Sequence, residues 1–223
     1  MIFTAILGAF AVLSGCAHWS DRPPALGPAD FLAAPEMAEP VAPATMNARR
    51  LAAAIFHETN RVRLNLGLPA FQPLPQLDEA AVLQASYSAL NLTSGHTQPF
   101  PHLAMPVDRV RSVGLNPGSV SENAAVLPLW HLAPGQSVTV EQRPEGKTMI
   151  DPNTGKPPVW HTYASFAAAV VQAWLDSPGH RENLLNRDSE FLGCGARSGR
   201  SITGIDVVAA VQVFYRPAGL RTR

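Results

Sequence analysis

The sequence predicts an α+β fold in which four or five helices pack around a small antiparallel sheet. Two observations lead to this prediction. Five segments between residues 46 and 186 have the apolar spacing or the composition of helices. The chain then closes with two strand-like stretches, the second of which alternates apolar and polar residues. With 223 residues, 46% hydrophobic and 15% charged, the chain has a globular composition and room for one sizeable domain.

The predicted elements follow one another from residue 46 onward. The first helix stops at Gly67, a residue type that commonly follows a helix. The second helix carries small residues on one face, which suits close packing. An insertion over 128–161 is rich in turn residues, which predicts one or two hairpins. Helices are expected at 46–68, 78–92, 105–115, 165–176 and 181–186, and strands at 119–127, 191–199 and 206–217.

The amino-terminal residues have the features of an export signal. Residues 1–15 are apolar but too few to span a bilayer stably, and "LSGC" resembles a bacterial lipobox. We therefore expect a lipoprotein-type signal peptide over 1–16, with Cys16 acylated, palmitate included, and anchored in a membrane of the cell envelope. Ala17 is not acidic, which favours the outer membrane. A cleaved, secreted form and an uncleaved anchor are the alternatives.

Residues 17–45 carry prolines at positions 23, 24, 28, 35, 40 and 43 among alanines and acidic residues. This composition favours an extended chain of about 3 Å per residue. We therefore expect a tether over 17–45 that holds a folded domain, residues 46–217, several tens of ångströms from the membrane.

Charge and cysteine content exclude several classes of function. Lys+Arg and Asp+Glu both total 17, so no net field favours nucleic acid. With Cys16 lipidated, Cys194 has no cysteine partner, and its apolar setting predicts a buried strand residue rather than a disulfide. The chain also lacks a G-x-S-x-G nucleophile elbow, a phosphate loop and a dinucleotide fingerprint.

The stretch "DSPGHRENLL" predicts the start of a helix. Ser177 can accept from the free amides of the first turn, and Pro178 suits the first helical position. His180 then lies near the positive end of the helix dipole, which disfavours imidazolium and leaves a lone pair for a metal or a proton. The alternative is a histidine that only bonds a neighbouring loop.

Several motifs follow one another in a recognisable order along the folded part of the chain. "ETNRVRLNLGL" lies in the first predicted helix, "SGHTQ" places a histidine nineteen residues after Leu77, and "PVDRVRSVGL" is an arginine-containing helix. "SEN", "WLDSPGHRENLL" and "GCGA" come after them. Together these motifs resemble the short bacterial members of the CAP superfamily, whose SCP domain occurs in cysteine-rich secretory proteins, and "SEN" is similar to that family's "GEN". The resemblance covers about residues 48–216.

This resemblance implies a three-layer α-β-α sandwich with a cleft that contains His96, Glu122 and His180. Two imidazoles and a carboxylate are a chemically sensible set for Zn²⁺, with a fourth position open for water. The spacing to Arg109 is longer than usual, so His102 is the alternative to His96. Residues that match supporting motif positions are Asn60, Arg63, Arg109, Asn123, Arg181 and Asn183.

Three classes of function follow from the resemblance. The first is an envelope-anchored module whose cleft binds a divalent metal or a small ligand, with a lipid, glycan or protein as its unknown partner. The second is a metal-dependent hydrolase of peptide or cell-envelope material. The third is a structural protein in which the cleft residues form a satisfied polar network. The insertion 128–161 is expected to cover the cleft or to form a partner surface.

Overall fold

The computed structural model describes residues 27–132, 136–144, 146–202 and 204–219. The expected signal peptide, Cys16 and residues 17–26 lie outside these ranges. The helices are α1 (Pro28–Leu32), α2 (Ala48–Asn65), α3 (Pro75–Asn91), α4 (Pro106–Ser112), α5 (Tyr163–Asp176) and α6 (Pro178–Leu185). The strands are β1 (Gln72–Pro73), β2 (Pro117–Pro128), β3 (Trp130–His131), β4 (Thr139–Arg143), β5 (Gly146–Ile150), β6 (Val159–Trp160), β7 (Phe191–Arg200) and β8 (Asp206–Pro217). Short 3₁₀ helices cover Pro35–Met37 and Pro101–Leu103.

The main sheet has four strands in the order β1-β7-β8-β2. Strand β8 pairs antiparallel with both β7 and β2, and the two-residue β1 adds a parallel pair to β7. In the β2–β8 register Glu122 lies opposite Val213, and Asn123 lies opposite Gln212. Because successive side chains on a strand point to opposite faces, Glu122 and Asn123 lie on different faces of the sheet.

Helices cover both faces of this sheet, which confirms the predicted α+β fold. On one face α2 and α5 bury Ile55, Phe166 and Trp174 against Cys194, Ala210 and Phe214 of the central strands. On the other face α3 and α4 bury Leu77, Ala81 and Val110 against Val211, Val213 and Tyr215. Cys194 is buried in the main core, as its apolar sequence setting predicts.

Residues 28–41, here called the N-terminal strap, pack on the domain, so the prediction of an extended tether is wrong for this stretch. The Phe31 ring stacks on His57 of α2 with centroids 3.9 Å apart, and Met37 and Val41 are buried in the main core. The amide of Val41 donates to the carbonyl of His161 at 2.7 Å. The prolines at 28 and 35 begin short helices instead of extending the chain, because proline suits the first helical position.

The insertion forms two small ribbons outside the main sheet, in agreement with the predicted hairpins. Strands β4 and β5 pair as an antiparallel hairpin, and β3 pairs with β6 where the insertion begins and ends. Lys147 of the hairpin lies beside Gly204 in the β7–β8 turn. None of the helices in the described ranges is long and apolar enough to cross a membrane.

Candidate functional site

The predicted cleft residues meet at the outer edge of β2. His96 comes from the loop between α3 and α4, and His180 comes from the first turn of α6. Their rings are neighbours in an edge-to-face arrangement, with centroids 6.4 Å apart and planes tilted by 65°. Glu122 is on β2, which follows the His96 loop and precedes α6 in the sequence. Because α4 and α6 both contact β2, the strand edge brings the loop that carries His96 next to the first turn of α6.

Glu122 is buried, with a side chain 1% exposed, and both of its oxygens are occupied. Arg109 donates to Oε2 at 2.6 Å, and the Nδ1 of His96 lies 2.9 Å from Oε1. A carboxylate paired with a guanidinium can only accept, so the proton of this bond belongs to His96 Nδ1. This tautomer leaves the Nε2 of His96 with a free lone pair.

Arg109 fixes the loop that carries His96 as well as Glu122. Its Nη2 also donates to the carbonyl of His96 at 3.2 Å, and its Nη1 donates to the carbonyl of Leu103 at 2.8 Å. The guanidinium therefore connects α4, β2 and the His96 loop through one buried group.

Two buried glutamines that the sequence analysis missed hold the same loop. Gln84 of α3 donates to the carbonyl of Gly95 at 2.6 Å and accepts from Gln98 at 2.9 Å. Gln98 also donates through its backbone amide to the carbonyl of Ala104. His96 thus lies between two fixed backbone points. A long polar residue beside the small-residue face of α3 was the available signal, because a buried amide must find partners.

His180 is held by a chain of amides that begins on β2. Asn123 donates to the carbonyl of His180 at 3.1 Å, and Asn183 donates to Asn123 at 2.9 Å and to the carbonyl of Glu122 at 3.3 Å. Gln212, which accepts from Asn123, continues the chain through a bond to Thr59 of α2 at 2.7 Å. Burial, and secondarily the nearby His96, lowers the pKa of His180, so its imidazole is favoured in the neutral form.

Ser177 does not cap α6 through its side chain, contrary to the sequence analysis. It occupies the N-cap position with extended backbone angles, but its hydroxyl makes no capping bond. Its carbonyl accepts from the amide of Arg181 at 2.8 Å, so the backbone begins the helix. Pro178 lies at the start of the helix as expected. Arg181 is exposed and makes no side-chain hydrogen bond within the described ranges.

The remaining predicted residues lie away from the two imidazoles. His102 is exposed on the 3₁₀ helix Pro101–Leu103, and the imidazole that contacts Glu122 is that of His96. Asn60 exchanges two hydrogen bonds with the backbone of Phe71. Arg63 donates to the carbonyls of Pro69, Leu184 and Asn186. Asn60 and Arg63 therefore hold loops against α2.

The side chains present do not fit a zinc site with three protein ligands. Both oxygens of Glu122 are taken, and the described residues contain no group of three His, Cys, Asp or Glu side chains that could hold a metal. His96 Nε2 and the neutral His180 do supply two suitable nitrogen donors. The donor types therefore fit an ion held by two imidazoles and completed by water or by ligand atoms, with Glu122 orienting His96 from behind. Because the ring centroids are 6.4 Å apart, wider than the separation of about 4.5–5.2 Å between two imidazoles at right-angle to tetrahedral positions on one ion, the rings have to move closer for both nitrogens to bind it.

Comparison with known proteins gives one family match and several similar folds. The model of the cysteine-rich secretory protein family, CAP, matches residues 56–214. No curated protein matches the chain. An extracellular SCP-domain protein from Bacillus anthracis is 22% identical with a TM-score of 0.48, over 76% of this chain and 41% of that one. An outer surface protein from Borrelia burgdorferi is 20% identical with a TM-score of 0.46, over 73% of this chain and 90% of that one.

A cysteine-rich secretory protein from Staphylococcus aureus is 12% identical with a TM-score of 0.43, over 76% of this chain and 39% of that one. The matched region thus spans less than half the length of two of these three structures. The family match covers well over half of the present chain and includes His96, Glu122 and His180. This chain therefore belongs to the cysteine-rich secretory protein (CAP) family.

Proposed function

We propose that this protein is an exported, envelope-anchored CAP-domain protein whose cleft binds a divalent metal ion or a small ligand through His96 and His180. The observation that carries the proposal is the pair of neighbouring imidazoles, with ring centroids 6.4 Å apart at the β2 edge. Neither ring is needed to neutralise Glu122, because Arg109 already does so. A buried ion pair therefore fixes the ring of His96 beside that of His180.

The charge state of the cleft supports binding at neutral pH. Glu122 accepts a hydrogen bond from Nδ1–H of His96, and the lowered pKa of His180 keeps its lone pair available. A bound divalent ion would supply positive charge that polarises an oxygen of a ligand. His96 and His180 would hold that ion, while Arg109, Gln84 and Asn123 keep the two rings in place.

Binding is favoured over hydrolysis by the state of Glu122. A general base must be free to take a proton from the reacting group. Both oxygens of Glu122 are occupied by Arg109 and His96, and the exposed Asp176 accepts from Gln172. A hydrolase would therefore have to use an imidazole of the cleft for this step, and that imidazole would no longer be available to a metal.

Calorimetric titration of the full chain with Zn²⁺, in detergent, tests the cleft. We expect saturable binding that weakens at least tenfold in His96→Ala and in His180→Ala. His102→Ala is the matched control and should bind as the parent does, because His102 is exposed and the imidazole that bonds Glu122 is that of His96. Zn²⁺ binding of unchanged affinity and stoichiometry in both cleft variants would overturn the metal role, and absence of binding by the folded parent would do the same.

Export and anchoring rest on the sequence alone, and Cys16 provides their test. Cys16→Ser should leave the precursor unprocessed and move the protein out of the detergent phase in a partitioning experiment. Metabolic labelling with palmitate should label the parent and not the variant. Unchanged partitioning and labelling would remove the lipid anchor from the proposal without affecting the cleft.

A further inference from the structure

A second pair of imidazoles lies outside the cleft, at the base of the insertion. We call this base the neck: Trp130 and His131 of β3, Val159 and Trp160 of β6, and His161. The rings of His131 and His161 lie 4.7 Å apart between centroids, with planes tilted by 28°. This pair is closer together than His96 and His180, and no feature of the cleft depends on it.

The backbone of the neck is fixed on both sides of the pair. Trp130 and Trp160 lie opposite each other in the β3–β6 ladder and stack with centroids 3.5 Å apart. The amide of His161 donates to the carbonyl of Leu129 at 2.9 Å, and the carbonyl of His161 accepts from Val41 of the strap. The fold itself therefore brings the two imidazoles together. A ligand that binds to both rings would not have to order the backbone of the neck.

The two rings are also in a suitable chemical state. His161 is buried, and burial followed by the nearby His131 lowers its pKa to about 4, so it is a neutral donor at physiological pH. Its Nδ1 contacts the hydroxyl of Ser165 at 3.0 Å. A histidine that binds a metal through one ring nitrogen commonly makes such a hydrogen bond with the other. His131 is exposed, and its ring makes no hydrogen bond within the described ranges, so it is free to turn.

The separation of the rings matches two ligands of one metal ion. Metal–nitrogen bonds to imidazole are about 2.0–2.1 Å long. When the angle between two such bonds lies between a right angle and the tetrahedral angle, the centroids of the two rings are about 4.5–5.2 Å apart. The observed 4.7 Å lies in this range. Because the rings are nearly parallel, a turn of His131 about its Cβ–Cγ bond is needed for both lone pairs to meet at the ion.

We propose that His131 and His161 form a second metal site, which takes a transition-metal dication that prefers imidazole nitrogen. Water completes the coordination, because no third His, Cys, Asp or Glu joins a metal-binding group in the described part of the chain. Copper(II) should bind most tightly, since affinity for nitrogen sites rises to Cu²⁺ and falls again at Zn²⁺. An ion there would join the first and last strands of the insertion.

Copper titration of the full chain tests this site without interference from the cleft. The background carries His96→Ala and His180→Ala, so the outcome does not depend on the proposed function. In this background we expect one Cu²⁺ per chain by calorimetry and nitrogen hyperfine structure from two imidazoles by electron paramagnetic resonance. Adding His131→Ala should weaken binding at least tenfold and remove one nitrogen from the spectrum. His102→Ala is the control and should change neither.

His131→Ala alters an exposed side chain, so the variant is expected to fold, and its melting temperature without metal provides the check. The parent background should gain thermal stability with Cu²⁺, since an ion that binds only the folded state stabilises it. The His131→Ala variant should gain none. Copper binding unchanged by His131→Ala, or no saturable binding in the background, would overturn the second site.

Discussion

At the scale of single residues, Glu122 and Arg109 place opposite charges side by side in the protein interior. Their side chains are 1% and 0% exposed, and Nη2 and Oε2 are 2.6 Å apart. Removing charges from water is costly, so each group depends on the other for its charge to be tolerated. Because Arg109 also donates to the carbonyls of His96 and Leu103, the pair determines where the His96 ring lies.

Arg109→Met should destabilise the protein by about 3–5 kcal/mol, because it leaves a buried carboxylate without a counter-charge. Arg111→Met is the matched control: Arg111 is exposed and 3.7 Å from Asp108, so its loss should cost less than about 1 kcal/mol. Urea denaturation measures both. Adding Glu122→Gln to Arg109→Met should recover part of the loss, and equal losses for the two arginine variants would contradict this account.

Gln84 is a second buried residue that holds the His96 loop, in this case through hydrogen bonds between uncharged groups. Gln84→Leu keeps the volume of the side chain but removes the donor to Gly95 and the acceptor for Gln98, at a cost of about 1–3 kcal/mol for the unpaired groups. Gln172→Leu, at an exposed position of α5, should cost little. Hydrogen exchange of the Gln98 amide provides a local readout and should accelerate only in Gln84→Leu. Unchanged exchange would mean that the loop is held by Arg109 alone.

At the scale of elements, the contact of α3 with β7 depends on glycines. A Cβ added at Gly193 would lie 2.2 Å from the backbone of Leu77, and one added at Gly195 would lie 2.5 Å from that of Ala81. Leu77 and Ala81 are one helical turn apart, so the glycines follow one face of the helix. The helix backbone therefore lies directly on the strand, and the small-residue face expected from the sequence serves this contact.

Gly193→Ala should destabilise the fold by about 3 kcal/mol or prevent folding, because the obstructing atoms belong to the backbone of α3 and cannot turn away. Gly179→Ala is the control. No atom lies within 4 Å of a Cβ there, and alanine in α6 should be neutral or stabilise by up to about 1 kcal/mol. Thermal and urea denaturation compare the two. Similar stabilities would show that α3 can move away from the sheet at little cost.

The sequence predicted elements well where periodicity was long and poorly where proline determined the structure. The strand at 206–217 was predicted at its observed bounds, and α2, α3 and α5 were predicted to within three residues. Helix α1 was missed because five residues are too few for periodicity. Motifs selected His96, Glu122 and His180 from the sequence, but the pairing of Glu122 with Arg109 joins α4 to β2, and only the fold brings these two elements together. Gln84 lies at helical spacing from the small-residue face of α3, but its partners Gly95 and Gln98 belong to a loop whose path the spacing does not predict.

At the scale of the whole molecule, the strap changes how the domain would be attached to a membrane. Only residues 17–27 separate Cys16 from the first residue of α1, and these 11 residues span at most about 40 Å. A tether ending at residue 45 would have allowed more than twice that distance. A lipid at Cys16 would therefore keep the domain near the membrane surface, while the strap joins α2, α5 and the neck.

The strap should contribute to the stability of the domain, which a tether would not. Met37 is 2% exposed within the main core, so Met37→Ala should cost about 2–5 kcal/mol. Met105→Ala removes the same side chain where it is 48% exposed and should cost less than about 0.5 kcal/mol. Urea denaturation of both variants decides between strap and tether, since a tether predicts no loss in either. A loss confined to Met37→Ala would mean that the folding unit begins near residue 28, and that a domain cut at residue 46 lacks part of its own core.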